Sequence, residues 1–183
     1  VYDANNINPL YGFFVARAGL GASESMRSKL AEYNDPRLSR AFITKQGTSG
    51  KEQAPGTADN AVYAPNGTPE QGTSKYGTSL FMYSISAPTL LLSYHELKFL
   101  EAEALCRLER DAKSALKDAV VAGLLNAENS FTISRKELGK TLINAASSIT
   151  EAEAESYFDN TIEAKYTAEP LKTTMTQKYF ALW

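Results

Sequence analysis

The sequence predicts an all-α fold in which helical hairpins carry a long irregular insertion, and three observations support it. First, residues 93 to 126 hold two apolar runs at helical spacing. Leu97, Leu100, Ala104 and Leu108 form one, and Ala112, Ala115, Leu116, Ala119, Val120, Gly123 and Leu124 the other. Second, only Glu109-Arg110-Asp111 separates the runs, and so short a connection forces two helices to pack antiparallel. Third, from Gly47 to Thr78 periodicity gives way to Gly, Pro, Thr, Ser, Asn and Gln, which is loop composition. Small residues at 102, 104, 115, 119 and 123 let two helix backbones approach, and about 35 residues per helix pair is the tetratricopeptide dimension.

Taken in order, Asn8-Pro9 leads into Leu10-Tyr11-Gly12-Phe13-Phe14-Val15, expected as a short strand or irregular segment packed on the helical body. A helix from about Ser23 places Met26, Leu30 and Tyr33 on one face and stops at Asn34-Asp35-Pro36, since proline disfavours helical geometry in the residue before it. The loop over 47 to 78 should hold no helix longer than a turn or two, because Gly and Pro interrupt every window. A brief extended run over 80 to 85 then delivers the chain to Pro88.

Ser93 with Glu96 is a capping-box pattern and starts the first helix of the central pair. The facing sides of that pair should bury Leu97, Leu100, Leu116, Val120 and Leu124. Ser134 with Glu137 repeats the pattern and predicts a separate short helix to about Ala146. Thr150 with Glu153 opens another, carrying Ala154, Tyr157, Phe158, Ile162 and Tyr166 toward a core. Pro170 suits the first turn of a last helix with Leu171, Thr174, Met175, Lys178, Tyr179 and Leu182 at helical spacing.

Composition sets limits on function. With 183 residues, 43% hydrophobic and 22% charged, the chain can bury a sizeable core. A net charge of -2 with no Lys/Arg cluster argues against a nucleic-acid surface. No apolar stretch reaches the roughly 18 to 20 residues of a bilayer span. Cys106, the one cysteine, excludes an internal disulfide and reads as a small buried hydrophobe. His95, the one histidine, lacks the partners of a zinc or Ser-His-Asp site. Glu151, Glu153 and Glu155 read as a solvated first helical turn favoured by the helix dipole. No catalytic set, metal site or cofactor is expected.

The remaining candidates are in the loop. A sugar presents weakly apolar C–H faces ringed by hydroxyls, so its recognition needs a flat ring with amide or hydroxyl groups around it. Tyr63 and Tyr76, with Asn60, Asn66 and Gln71 near them in sequence, offer both. Either tyrosine could instead anchor the loop to the body.

Three segments together resemble the SusD/RagB family, the SusD-like outer-membrane lipoproteins of the Bacteroidetes. They are Asn8-Pro9-Leu10-Tyr11 through Ser23-Glu24-Ser25-Met26 to Tyr33-Asn34-Asp35-Pro36-Arg37; Ser86-Ala87-Pro88 through His95-Glu96-Leu97-Lys98-Phe99-Leu100-Glu101-Ala102-Glu103-Ala104; and Thr176-Gln177-Lys178-Tyr179-Phe180-Ala181-Leu182-Trp183. The resemblance covers nearly the whole chain. It implies a tetratricopeptide-containing helical body over 1 to 183, a glycan or peptide ligand held on loops, a SusC-like TonB-dependent transporter as partner, and no catalysis. It also implies a surface-exposed outer-membrane lipoprotein, although the family's lipidated cysteine has no counterpart here. Family chains are longer, so a C-terminal-side fragment is expected. The rival expectation is a helical-repeat scaffold for another protein, without sugar affinity.

Overall fold

The computed structural model describes residues 6–9, 11–12, 22–45, 52–54, 63–67, 78–79, 85–88, 90–138 and 148–182. Two units divide the chain: Val1–Glu32, Arg37–Thr89 and Asn129–Ser147 form the first, and Tyr33–Pro36, Leu90–Glu128 and Ser148–Trp183 the second. Helices dominate the described residues, as expected, with one small sheet.

In the first unit the chain turns helically at Pro9, where a strand or irregular segment was expected. The Asn8 side-chain oxygen accepts from the Tyr11 N–H at 3.3 Å, and the Gly12 N–H donates to the Asn8 carbonyl at 3.0 Å. Asn8 caps the turn and Pro9 sits where a missing N–H costs nothing. Residues 10 and 13 to 15 lie outside the described residues. Helix α1, Glu24–Glu32, buries Met26 and Leu30 as its spacing predicts. It ends at Asn34, whose φ of 48° is the left-handed conformation that asparagine tolerates best after glycine.

Strands β1 (Phe42–Lys45), β2 (Glu52–Ala54) and β3 (Thr78–Ser79) form an antiparallel sheet in the order β2-β1-β3. The predicted loop therefore contributes a strand and a strand end, and no described residue between 47 and 78 is helical. Most of that loop, like 80 to 84, lies outside the described residues.

The second unit holds the helical pair. Helix α2, Tyr94–Arg107, starts where the capping box places it, with the Ser93 Oγ accepting from the Glu96 N–H at 3.3 Å. Its buried face is a correction. His95, Phe99 and Ala102 are inside, while Leu97 and Leu100 are 51% and 45% exposed and Leu108 is 64% exposed. Apolar residues line both sides of this helix, and Phe99, with its large aromatic ring, takes the core side.

The turn after α2 closes tightly. Glu109 has φ 56°, its N–H donates to the Cys106 carbonyl at 3.1 Å, and the Arg110 N–H donates to the Leu105 carbonyl at 2.9 Å. This is the Schellman arrangement, with glutamate in the left-handed position that glycine usually fills. Helix α3, Lys113–Leu138, then buries Ala115, Leu116, Ala119, Val120 and Leu124 as predicted. It is antiparallel to α2: a Cβ built on Gly123 would lie 3.8 Å from the Phe99 ring and 4.0 Å from the His95 Cβ, and Lys98 pairs with Asp118 at 3.4 Å. No helix starts at Ser134. That residue is buried within α3, because nothing between Gly123 and Leu138 breaks helical geometry, and a Ser-x-x-Glu pattern caps only where the backbone is free to turn in. Residues 139 to 147 lie outside the described residues.

Helix α4, Glu151–Tyr157, is capped by the Thr150 Oγ1, which accepts from the Glu153 N–H at 3.2 Å. It continues through a π-helical turn, Phe158–Ile162, into α5, Glu163–Ala168. This rod runs antiparallel to α3, with Lys117 bonded to Asp159 at 2.7 Å and Lys113 to Glu163. The Ala112 N–H donates to the Tyr166 Oη at 2.8 Å, and that hydroxyl donates to Asp111 at 3.2 Å. Helix α6, Pro170–Ala181, has Pro170 in its first turn and returns antiparallel beside α2. There Lys178 reaches Glu103 at 2.8 Å and Cys106 lies 3.5 Å from the Thr174 hydroxyl.

The faces of α6 also differ from expectation. Thr173, Thr174, Gln177 and Phe180 are buried, and Leu171, Met175, Tyr179 and Leu182 face outward. At the far end of α6 the Ala181 methyl would stand 3.2 Å from a Cβ on Gly123, so α3 and α6 sit a few tenths of an ångström closer there than a side chain at 123 would allow. The Tyr33–Pro36 segment completes the unit. Tyr33 packs edge-on to Phe180 with centroids 5.4 Å apart, the Lys165 ammonium lies 4.5 Å from the Tyr33 ring centre, and the Tyr157 hydroxyl donates to the buried Asp35 carboxylate at 3.2 Å. Among the described residues no helix is long and apolar enough to cross a membrane.

Candidate functional site

Two of the five loop residues singled out from the sequence are described, and both lie against the start of α1. The Asn66 side chain accepts from the Ser23 hydroxyl at 2.8 Å and donates to the Ser25 hydroxyl at 2.6 Å. Beneath it the Ala64 N–H donates to the Ala22 carbonyl at 2.8 Å and the Glu24 N–H to the Ala64 carbonyl at 2.9 Å. Tyr63 is half-buried and carries the Arg27 guanidinium 5.9 Å from its ring centre. The segment is docked on a helix N-terminus, with the half-buried Tyr63 ring beside Arg27. Asn60, Gln71 and Tyr76 lie outside the described residues.

The second unit contains a groove of about 660 Å³. Helix α3 is its floor, with Val121, Ala122 and Leu125. Leu90, Ser93, Tyr94 and His95 from the entry to α2 form one wall, and Glu151 and Glu155 on α4 form the other. Lys117, Asp118 and Asn126 stand at its ends. Tyr94 follows the N-cap and is 60% exposed, because its neighbour His95 points into the core with Nε2 3.1 Å from the Ser93 hydroxyl. A flat ring, an apolar floor, an amide and several carboxylates thus share one concavity. That is the combination expected only of the loop.

The groove's charges are arranged in layers. Asp159 holds the Lys117 ammonium with both oxygens, at 2.7 and 3.0 Å, and this hydrogen bond raises the lysine's pKa above its ordinary value. Lys98, likewise raised chiefly by its hydrogen bond to Glu101, also holds Asp118. Glu151 and Glu155 form no ion pair among the described residues and are exposed on the wall. No group of three His, Cys, Asp or Glu able to hold a metal occurs among the described residues.

The sequence carries a signal for this groove. Val121 and Leu125 form a second apolar ridge on α3, spaced by four and offset from the buried Leu116, Val120 and Leu124. Since α2, the rod that begins with α4, and α6 all pack on α3, this ridge is the part of the helix left open to the groove.

Antiparallel helices around a core, with a concave polar-rimmed groove beside it, define an all-α protein with a ligand-sized recess on one side. The chain belongs to the SusD/RagB family. A family model described as "Starch-binding associating with outer membrane" matches residues 2–183. The crystal structure of a SusD/RagB family protein from Bacteroides thetaiotaomicron is similar at 59% identity with a TM-score of 0.91. That match covers 100% of this chain and 39% of the other, so the chain spans well under half the length of its relative. Among curated proteins none matches.

Proposed function

We propose that this chain is part of a non-catalytic glycan-binding protein of the cell surface. In this reading it holds an oligosaccharide in the groove over α3 for a SusC-like TonB-dependent transporter to import, as a lipoprotein of the outer membrane. The observation that carries it is the pairing of the outward Tyr94 ring with the apolar Val121–Leu125 floor, ringed by Asn126, Asp118, Glu151 and Glu155. A pyranose face stacks on the ring, and its hydroxyls donate to the carboxylates and exchange hydrogen bonds with the amide. The tetratricopeptide reading of the α2–α3 pair belongs to the same proposal, on the strength of its length and short connection. Asn60, Gln71 and Tyr76 remain proposed ligand contacts together with Tyr63 and Asn66, which lie against the start of α1.

The test is calorimetry of a maltooligosaccharide on the intact protein, before and after Tyr94→Ala and Asn126→Ala. Affinity should fall at least tenfold in Tyr94→Ala while the melting temperature changes little, because the ring is largely solvent-exposed. Unchanged affinity would place the ligand elsewhere, and the loop tyrosine Tyr76 would be substituted next. Absence of any saturable sugar binding would favour the scaffold reading.

A further inference from the structure

We infer that the groove selects uncharged oligosaccharides and turns away anionic ones, with Glu151 and Glu155 as the residues that set this preference. The inference rests on the groove being the glycan site. One ammonium and three carboxylates line it, and the ammonium is already occupied: Lys117 is held by both oxygens of Asp159, which stands outside the lining. Asp118 is in turn paired with Lys98. What remains outside any ion pair is the wall of α4, where Glu155 feels the Lys117 charge only at longer range and stands with Glu151 one helical turn apart on one face, so that both present their charges to the same stretch of ligand.

This wall faces Tyr94 across the floor, so a sugar stacked on the ring has its far edge against the two carboxylates. A hydroxyl there donates to them in place of water. A uronate or sulfate there meets two like charges, while both nearby ammoniums already hold carboxylates: Lys117 is bonded to Asp159, and Lys98, 5.9 Å from the Tyr94 ring centre, is paired with Glu101 and Asp118. One like-charge pair a few ångströms apart in water lowers affinity roughly fivefold, and two such pairs, after screening at moderate salt, lower it about tenfold. The solvated first turn expected from the sequence thus acquires a second consequence: the same carboxylates that suit the helix dipole also exclude acidic ligands.

The experiment uses two ligands that differ only in charge: a maltooligosaccharide, and the same oligomer with its primary alcohols oxidised to carboxylates. Each is titrated against the intact protein and against Glu151→Gln/Glu155→Gln, at low and high salt. In the wild type the neutral oligomer should bind at least tenfold tighter than the oxidised one, with the ratio narrowing at high salt. In the double variant the ratio should fall to within about threefold, whatever happens to the neutral affinity itself. The wild-type salt dependence stands alone if the variant does not fold. Equal affinities in the wild type, or a ratio unmoved by both salt and the glutamines, would overturn the selectivity while leaving the glycan site intact. Failure of the neutral oligomer to bind would instead remove the site, and the selectivity with it.

Discussion

Leu97 and Leu116 belong to the same helix pair and have the same side chain, yet their truncation should differ several-fold in cost. Leu116 has no exposed surface. Removing its isobutyl group forfeits the transfer free energy of full burial and leaves a cavity that the close-packed α2–α3 contact cannot fill, so Leu116→Ala should cost about 2 to 5 kcal/mol. Leu97 is 51% exposed. Only about half of a roughly 2 kcal/mol burial term is at stake, no closed cavity results, and alanine returns a few tenths through helix propensity, so Leu97→Ala should cost under about 1 kcal/mol. Urea denaturation followed by far-ultraviolet circular dichroism measures both, compared by midpoint at equal slope. If Leu97→Ala proved as costly as Leu116→Ala, the face assigned to α2 would be wrong.

Three further outcomes follow from particular contacts. The Glu103 carboxylate is held below its ordinary pKa by hydrogen bonds first from Lys178 and then from Arg107. A folded-state pKa below the unfolded one stabilises at neutral pH and is lost as pH falls through the lowered value, so wild-type stability should drop more steeply below pH ~4 to 5 than that of Glu103→Gln; parallel acid profiles would contradict this. Tyr166→Phe strands the buried Ala112 N–H and should lose about 1 to 3 kcal/mol, whereas a neutral result would mean that water replaces the hydroxyl. Glu109→Gly relieves a non-glycine residue of its left-handed backbone and should raise stability by up to about 1 kcal/mol, a gain readable as a higher melting temperature; a loss would show that the glutamate side chain earns its place.

The sequence was most informative wherever a local rule and the tertiary fold agreed. Ser93 and Thr150 cap where their patterns place them, Pro170 opens α6, and Leu116, Val120 and Leu124 line the core. It misled where apolar residues occur around a whole helix. On α2 the Leu97, Leu100 and Leu108 stripe is as regular as the His95, Phe99 and Ala102 stripe that is buried, and periodicity has no means of choosing between them. Helix α6 is harder still, since it buries two threonines and a glutamine while exposing leucine, methionine and tyrosine. Ser134 shows the complementary limit, a local signal silenced by a helix that simply continues. The groove was invisible because Tyr94, Asn126 and Glu151 are far apart in sequence and meet only when α4 lies back along α3.

Gly123 fixes more than a packing distance. With the Ala181 methyl 3.2 Å from where a Cβ would stand, these two positions share one small volume, although 57 residues of chain lie between them. They are not free to drift independently. A lineage that acquires alanine at 123 has one compensation that conserves volume, glycine at 181, and a swapped pair should recur among descendants. Serine or larger at both positions together should be absent, because it would prise the end of α6 from α3. Evolution can thus read the junction as a single two-residue character, and a survey of relatives for that covariation would show whether it does.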